Sequence, residues 1–245
     1  MHNRGKRYLF RPTVLPGVAA AILTGLFIAL GVWQLNRAQE KQAILETYAL
    51  RNQQSPEELT LPLKDKPWWR YRRVEVTGHF TANRQFLLDN QVNHGRVGYN
   101  VLTPLRVTGN RGVLVDRGWI PLGSSRDERP EIPVTSARVR LRAMVFVPYA
   151  RGFSLGGMDE GETGWPRRVQ FIDFERMGAR VDLALAGVAL RLDPQSPYCY
   201  RCEWQLTPFS PARHLGYAVQ WFALAVAVLV IFIVVNLKRS EPSHA

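Results

Sequence analysis

TVLPGVAAAILTGLFIALGVW, residues 13–33, is a run of 21 side chains without a charge. As a helix rising 1.5 Å per residue it spans roughly 30 Å, the thickness of a bilayer's hydrocarbon core. Residues 215–237, LGYAVQWFALAVAVLVIFIVVNL, form a second uncharged run of 23. The first is too long for the apolar core of a signal peptide, and GVWQLNRAQ after it continues the helix instead of offering a small-residue cleavage site. Both runs therefore read as transmembrane helices, the first an uncleaved anchor.

Charge sets their direction. Arg4, Lys6, Arg7 and Arg11 lie in the leading tail, residues 1–12, and Lys238 with Arg239 open the trailing tail, residues 238–245. Lys and Arg stay on the cytoplasmic or matrix side, so both termini are expected there and residues 34–214 on the other side. The chain's formal charge is +12, and the two tails hold less than half of it. The excess between the spans suits anionic headgroups, an acidic partner or a carboxylate-bearing ligand. Nucleic acid is not expected on that side, and no recognition motif for it is present.

Working inward, QLNRAQEKQAILETYALRNQQ is rich in helix formers and predicts that the first span continues as a stalk, residues 34–54, until the prolines of SPEELTLPLKDKP end it. The pattern then changes. RRVEVTGHF, QFLLDN, GYNVLTPLRV, RGVLVDRGWI, RVRLRAMVFV and RVQFIDF are short, rich in β-branched and aromatic residues, and punctuated by Gly, Asn and Pro. They predict strands, mainly antiparallel, in a barrel or sandwich. FERMGARVDLAL reads as a short helix, GVALRLDP as a further strand, and ARGFSLGGMDEGETGW as a mobile loop. The expected architecture is an integral membrane protein: two transmembrane helices flanking one strand-rich α+β extracytoplasmic domain, residues 55–214.

Functional side chains gather where the second span begins, in ARHLGYAVQWF, residues 212–222. At 100° per residue with His214 at zero, Trp221 falls at about −20°, Tyr217 at about −60° and Gln220 at about −120°. The first span ends at the same membrane surface with Trp33, Gln34 and Arg37 inside an arc of about 100°. One reading is an aromatic belt with polar groups touching headgroups. The other is a haem site, in which the His214 imidazole meets iron, rings flank the macrocycle and Arg37 pairs with a propionate.

GVWQLNRAQEK, RRVEVTGHF, GRVGYNVLTPL, VLVDRGWIP and HLGYAVQWF, taken in order over nearly the whole chain, resemble the surfeit-locus assembly factors of cytochrome c oxidase. The resemblance implies an inner-membrane protein, not an enzyme, that assists maturation of the oxidase's catalytic subunit alongside other assembly factors such as haem a synthase. It implies haem a as cofactor, with His214 as the residue carried over as iron ligand and Trp33, Gln34, Tyr217, Gln220 and Trp221 as the motif residues around it. The location it implies is the plasma membrane of a bacterium with the domain periplasmic, or else the mitochondrial inner membrane.

PYCYRCEW departs from that family's pattern. Cys199 and Cys202, the only cysteines, would form a disulfide in an oxidising compartment. A C-x-x-C pair also suits thiol exchange or copper, with His214 as a conceivable third ligand. Function accordingly has three readings: a haem-handling chaperone, a thiol- or copper-handling factor, and a cofactor-free scaffold. In VLVDRGWIP, Arg117 could meet a propionate or an acidic partner, whereas the structural expectation for Asp116-Arg117-Gly118-Trp119 is an ion pair with a bulge or turn. His79 and His94 lack metal-like spacing and read as surface. No Ser-His-Asp order, paired-carboxylate context or phosphate-cradling loop points to catalysis.

Overall fold

The computed structural model describes residues 8–125, 128–148, 164–206 and 209–239. The stretch read as a mobile loop lies outside these except for Gly164 and Trp165. The elements in chain order are β1 (Tyr8–Phe10), α1 (Val14–Asn52), β2 (Glu57–Glu58), α2 (Lys66–Trp69), β3 (Arg73–Phe80), β4 (Phe86–Asn93) and β5 (Arg96–Thr108). β6 (Arg111–Pro121), β7 (Arg138–Phe146), β8 (Arg167–Val169), α3 (Phe174–Val181), β9 (Ala184–Leu192), α4 (Pro211–Asn236) and β10 (Leu237–Arg239) follow. They divide into two units, Met1–Glu46 with Leu206–Ala245, and Thr47–Gln205.

In the first unit α1 and α4 are long and apolar enough to cross a membrane. Their large apolar side chains stay open over most of the circumference, among them Leu15, Ile22, Val219 and Val235. Water would not tolerate apolar surface on that scale, and lipid does. The less exposed positions of α1 include Gly17, Ala20, Thr24, Phe27, Gly31, Gln34 and Ala38, and those of α4 include His214, Ala218, Trp221, Ala225, Val228 and Phe232. Steps of three and four give the stripe along which helices pack at a shallow angle. Small residues let the backbones approach: a Cβ added at Gly31 would stand 2.7 Å from the Phe222 ring. Phe27 packs on Trp221 at 5.6 Å between centroids. At the other end β1 pairs antiparallel with β10, Tyr8 opposite Arg239, and Asn236 accepts from the Thr13 N–H and donates to the Phe232 carbonyl.

The second unit is one mixed sheet in the order β2-β3-β7-β9-β6-β5-β4-β8. An added pairing of β3 with β5, His79 opposite Arg106 and Phe80 opposite Leu105, closes β3, β7, β9, β6 and β5 into a five-stranded barrel. The pairings of β3–β7, β7–β9, β4–β5 and β5–β6 are antiparallel, while β6–β9, β4–β8 and β2–β3 are parallel. The architecture is of the kind OB-folds use, which by itself assigns no ligand. Every segment read as a strand from sequence overlaps one, RVQFIDF only at Arg168 and Val169 before it turns into α3.

Alternation survives where one face meets solvent. On β3, Val74, Val76 and Phe80 point into the barrel, and on β7, Val139, Leu141 and Ala143 do, with Arg138, Arg140 and Arg142 outward between them. β6 is buried on both faces because α3 and its flanks cover the outside through Met177, Val181 and Leu183 against Leu114 and Ala189. That cover explains the continuous apolar run GVLV. The Asp173 carboxylate caps α3, accepting from the Arg176 N–H at 3.2 Å. DLAL does not extend the helix: Asp182 ends it in the left-handed region at φ 55° and β9 starts at Ala184.

Candidate functional site

α4 begins at Pro211 with Ser210 as N-cap, so His214 lies inside its first turn and not ahead of the helix as hydropathy alone places it. Polar His and Arg in the first turn depress the local hydropathy while the Ser-Pro pair starts the helix, proline being preorganised for a first helical position. His214 Nδ1 lies 2.8 Å from Gln34 Oε1 across the helix pair. An amide oxygen only accepts, so with this amide orientation Nδ1 carries the proton and donates to it. In the neutral ring Nε2 is then left with a lone pair. It is buried and has no hydrogen-bond partner among the described residues. An unmet buried polar atom costs about 1–3 kcal/mol, and a neutral imidazole held through one nitrogen with the other unspent is the form in which histidine binds a metal.

The seven residues read as a site do not share one face. His214, Gln34 and Trp221 lie on the packed stripe, whereas Trp33 (49% exposed) and Tyr217 (46% exposed) stand open, as does Gln220. A stripe stepping by three and four is too narrow to hold neighbours displaced by 60° to 120°. Arg37 bonds Glu40 Oε2 at 2.6 Å and sits 5.6 Å from the Trp33 ring centroid, so a propionate would have to displace Glu40. Two residues escape the sequence reading: Phe209, edge-on to the His214 ring at 6.3 Å, and Arg213, whose guanidinium is 5.0 Å from the Phe209 ring. Their only signal is adjacency to His214.

Cys199 and Cys202 form a disulfide. The loop it closes docks on β6, where the Tyr200 N–H donates to the Arg117 carbonyl and Trp119 and Arg201 exchange backbone hydrogen bonds at 2.8 and 3.2 Å. The register of β5 against β6 shifts there: Asn100 faces Trp119 but Leu102 faces Asp116. The bulge centres on Arg117 and Gly118, with Gly118 at φ 93° and a Cβ there only 2.5 Å from the Arg201 carbonyl oxygen. Asp-Arg-Gly-Trp is thus the bulge expected of it. A cystine offers no thiolate, and no group of three His, Cys, Asp or Glu among the described residues could hold a metal ion.

The bulge sends Asp116 and Arg117 to different partners. Arg117 is 4% exposed and donates to the Tyr198 carbonyl, Gln85 Oε1 and the Pro133 carbonyl at 3.0 to 3.1 Å, with no carboxylate among these acceptors. Burial lowers its pKa from the usual arginine value. Asp116 accepts from the Gly118 N–H and Asn100 Nδ2 and lies 4.0 Å from Arg191 Nε. Burial raises its carboxyl above the ordinary range, outweighing the pull of Arg191. Three of Arg117's five N–H groups, one on each nitrogen, hold the cystine approach and the Pro133 segment together, and a group only 4% exposed is not open to a propionate. His94 pairs with Glu203 at 2.8 Å and His79 Nδ1 lies 3.2 Å from the Ser136 carbonyl, both at the surface.

Comparison with known proteins places these features in a family. The SURF1 family model matches residues 21–226. A SURF1-like protein of Rickettsia felis is 26% identical over 219 residues, covering 85% of this chain and 91% of its own length. A SURF1-like protein of Mycobacterium bovis is 28% identical over 229 residues, covering 89% and 82%. The cytochrome oxidase assembly protein SHY1 of Saccharomyces cerevisiae is 33% identical over 96 residues, 37% of this chain and 24% of the yeast protein.

Proposed function

The chain belongs to the SURF1 family, and on that premise we propose that it assists assembly of cytochrome c oxidase by holding haem a through His214 and delivering it to the catalytic subunit. Support for the assembly role comes from the yeast relative that carries it by name. Support for the cofactor comes from one observation, the buried Nε2 of His214 left without a partner while Gln34 engages Nδ1.

The residue that would hold haem iron is His214, whose imidazole the helix pair already orients through Gln34. Gln34 selects the tautomer and stops the ring from turning. Trp221 and Phe27 supply an apolar floor deeper in the pair. Because Nε2 is buried, loading requires the first turn of α4 to shift from its present packing. Holding through His214 alone would suit a carrier, which has to give its cargo up. The proposed setting is the plasma membrane of a bacterium or its mitochondrial counterpart, with both termini inside and Thr47–Gln205 on the opposite side. Haem a synthase is the proposed donor of the cofactor.

Protein purified in detergent from haem a-producing cells is expected to show a haem absorption spectrum. His214→Ala is expected to lose it while the protein still accumulates and unfolds cooperatively, and Gln34→Leu to weaken retention without abolishing it. A spectrum that survives His214→Ala overturns the ligand assignment. The buried state of Nε2 also favours a second reading, a scaffold that carries no cofactor, whose signature is co-purification of an oxidase subunit with no haem in either form.

A further inference from the structure

Two guanidinium groups of the strand domain meet no acceptor among the described residues. Arg191 on β9 is 14% exposed, and its Cζ lies 3.8 Å from the Phe146 ring centroid and 5.1 Å from that of Trp204. Its Nε is buried and unpartnered, with the nearest carboxylate oxygen, Asp116 Oδ2, at 4.0 Å and beyond hydrogen-bond reach. Arg117, also buried, has three acceptors, so burial of a guanidinium in this fold does not by itself leave it unmet. Arg73 on β3 is half-buried, and no hydrogen bond or ion pair engages its side chain. Arg73 and Arg191, with Arg142, line a cavity of about 100 Å³ whose wall also includes Asp193 and Trp204. Arg142 is met by Glu75 at 2.8 Å, and Asp193 is the acid in the wall, so the positive charge left over is mainly that of Arg73.

We propose that this cavity receives a carboxylate side chain from an acidic segment of a partner protein. A guanidinium fork matches a carboxylate in shape and charge. The volume is that of roughly three waters, enough for a carboxylate and a carbon or two of its stem. Beside the cavity an open trough of about 460 Å³ shares Arg142 and Asp193 and adds Arg140, which gives the rest of such a segment a course along the outer face of β7. Arg138, Arg140 and Arg142 lie on that face with Glu75, which pairs with both Arg140 and Arg142, so the face keeps a net positive charge that would steer an acidic chain toward the cavity. The site lies within Thr47–Gln205 and does not depend on haem, so it stands or falls separately from His214.

The test is fluorescence anisotropy of a labelled glutamate-rich peptide titrated with the full chain in detergent. Binding is expected, and Arg73→Gln should weaken it about tenfold or more. Arg138→Gln removes the same charge from the same face outside the cavity and should cost less than about threefold. Displacement of the peptide by acetate, but not by chloride at equal ionic strength, supports the carboxylate assignment. Equal losses in the two variants would mean a diffuse field and overturn the proposal. It is equally overturned if the wild type does not bind, if a glutamine-substituted peptide binds as well, or if phosphatidylglycerol vesicles bind through Arg73 and the peptide does not.

Discussion

Asp116 and Arg117 are neighbours in a strand, yet one loses its charge more readily through burial and the other keeps three acceptors. A carboxyl whose pKa is raised in the folded chain still holds its proton after the unfolded chain has released it. Its contribution to stability is therefore full below the unfolded pKa, about 4, and is lost as pH rises through the folded value. Asp116→Asn removes that titration. Thermal unfolding across pH should show the wild type losing stability relative to Asp116→Asn as pH rises from about 4. A difference that stays flat or runs the other way would mean that Arg191 dominates the site. At this scale the sequence exposed the motif but not the outcome, because which way each side chain turns depends on the extra residue in the bulge. His214 shows the same limit: its type suggested a ligand, but the identity of its Nδ1 partner required the other helix, 180 residues away.

Helices and strands were the most legible level. Two uncharged runs and a change of period from 3.6 to 2 placed all the major elements, because hydrophobic periodicity is set by which faces are buried. The alternation was lost where burial is two-sided, as on β6, though its β-branched run still read as a strand, and a polar first turn hid the helix start at Pro211. Angular counting put seven polar and aromatic residues near one mouth, and packing kept three of them inside. The contact at Gly31 makes the helix pair testable. Gly31→Leu should destabilise it by about 1–3 kcal/mol, the usual cost of overpacking, read as thermal loss of helical circular dichroism in detergent. Phe222→Ala added to Gly31→Leu should restore much of that loss. Failure of the second substitution to compensate would place the strain elsewhere than at the Phe222 ring.

For the molecule as a whole, the cystine bears on two accounts of the PYCYRCEW stretch. Its loop holds the bulge of β6 through the backbone at Arg117 and Trp119, so its role in the structure is to fix that approach. Replacing Cys199 and Cys202 together by serine should cost about 2 kcal/mol, as expected for so short a closed loop, while oxidase activity and oxidase copper content stay normal in cells. A fall in copper content at normal protein level would instead restore the thiol or copper reading.

Composition and pattern alone determined that two lipid-length helices bracket one strand-rich domain, since uncharged length and side-chain period are properties of the chain itself. Order along the chain also carried the family resemblance. Tertiary structure decided that the strands close into a barrel, that two cysteines become one cystine, and that the His214 imidazole is held by Gln34 with one nitrogen unspent. It also decided that Arg191 is enclosed without an acceptor. These depend on residues far apart in sequence meeting at hydrogen-bond distance, and no local periodicity encodes which distant partner will arrive.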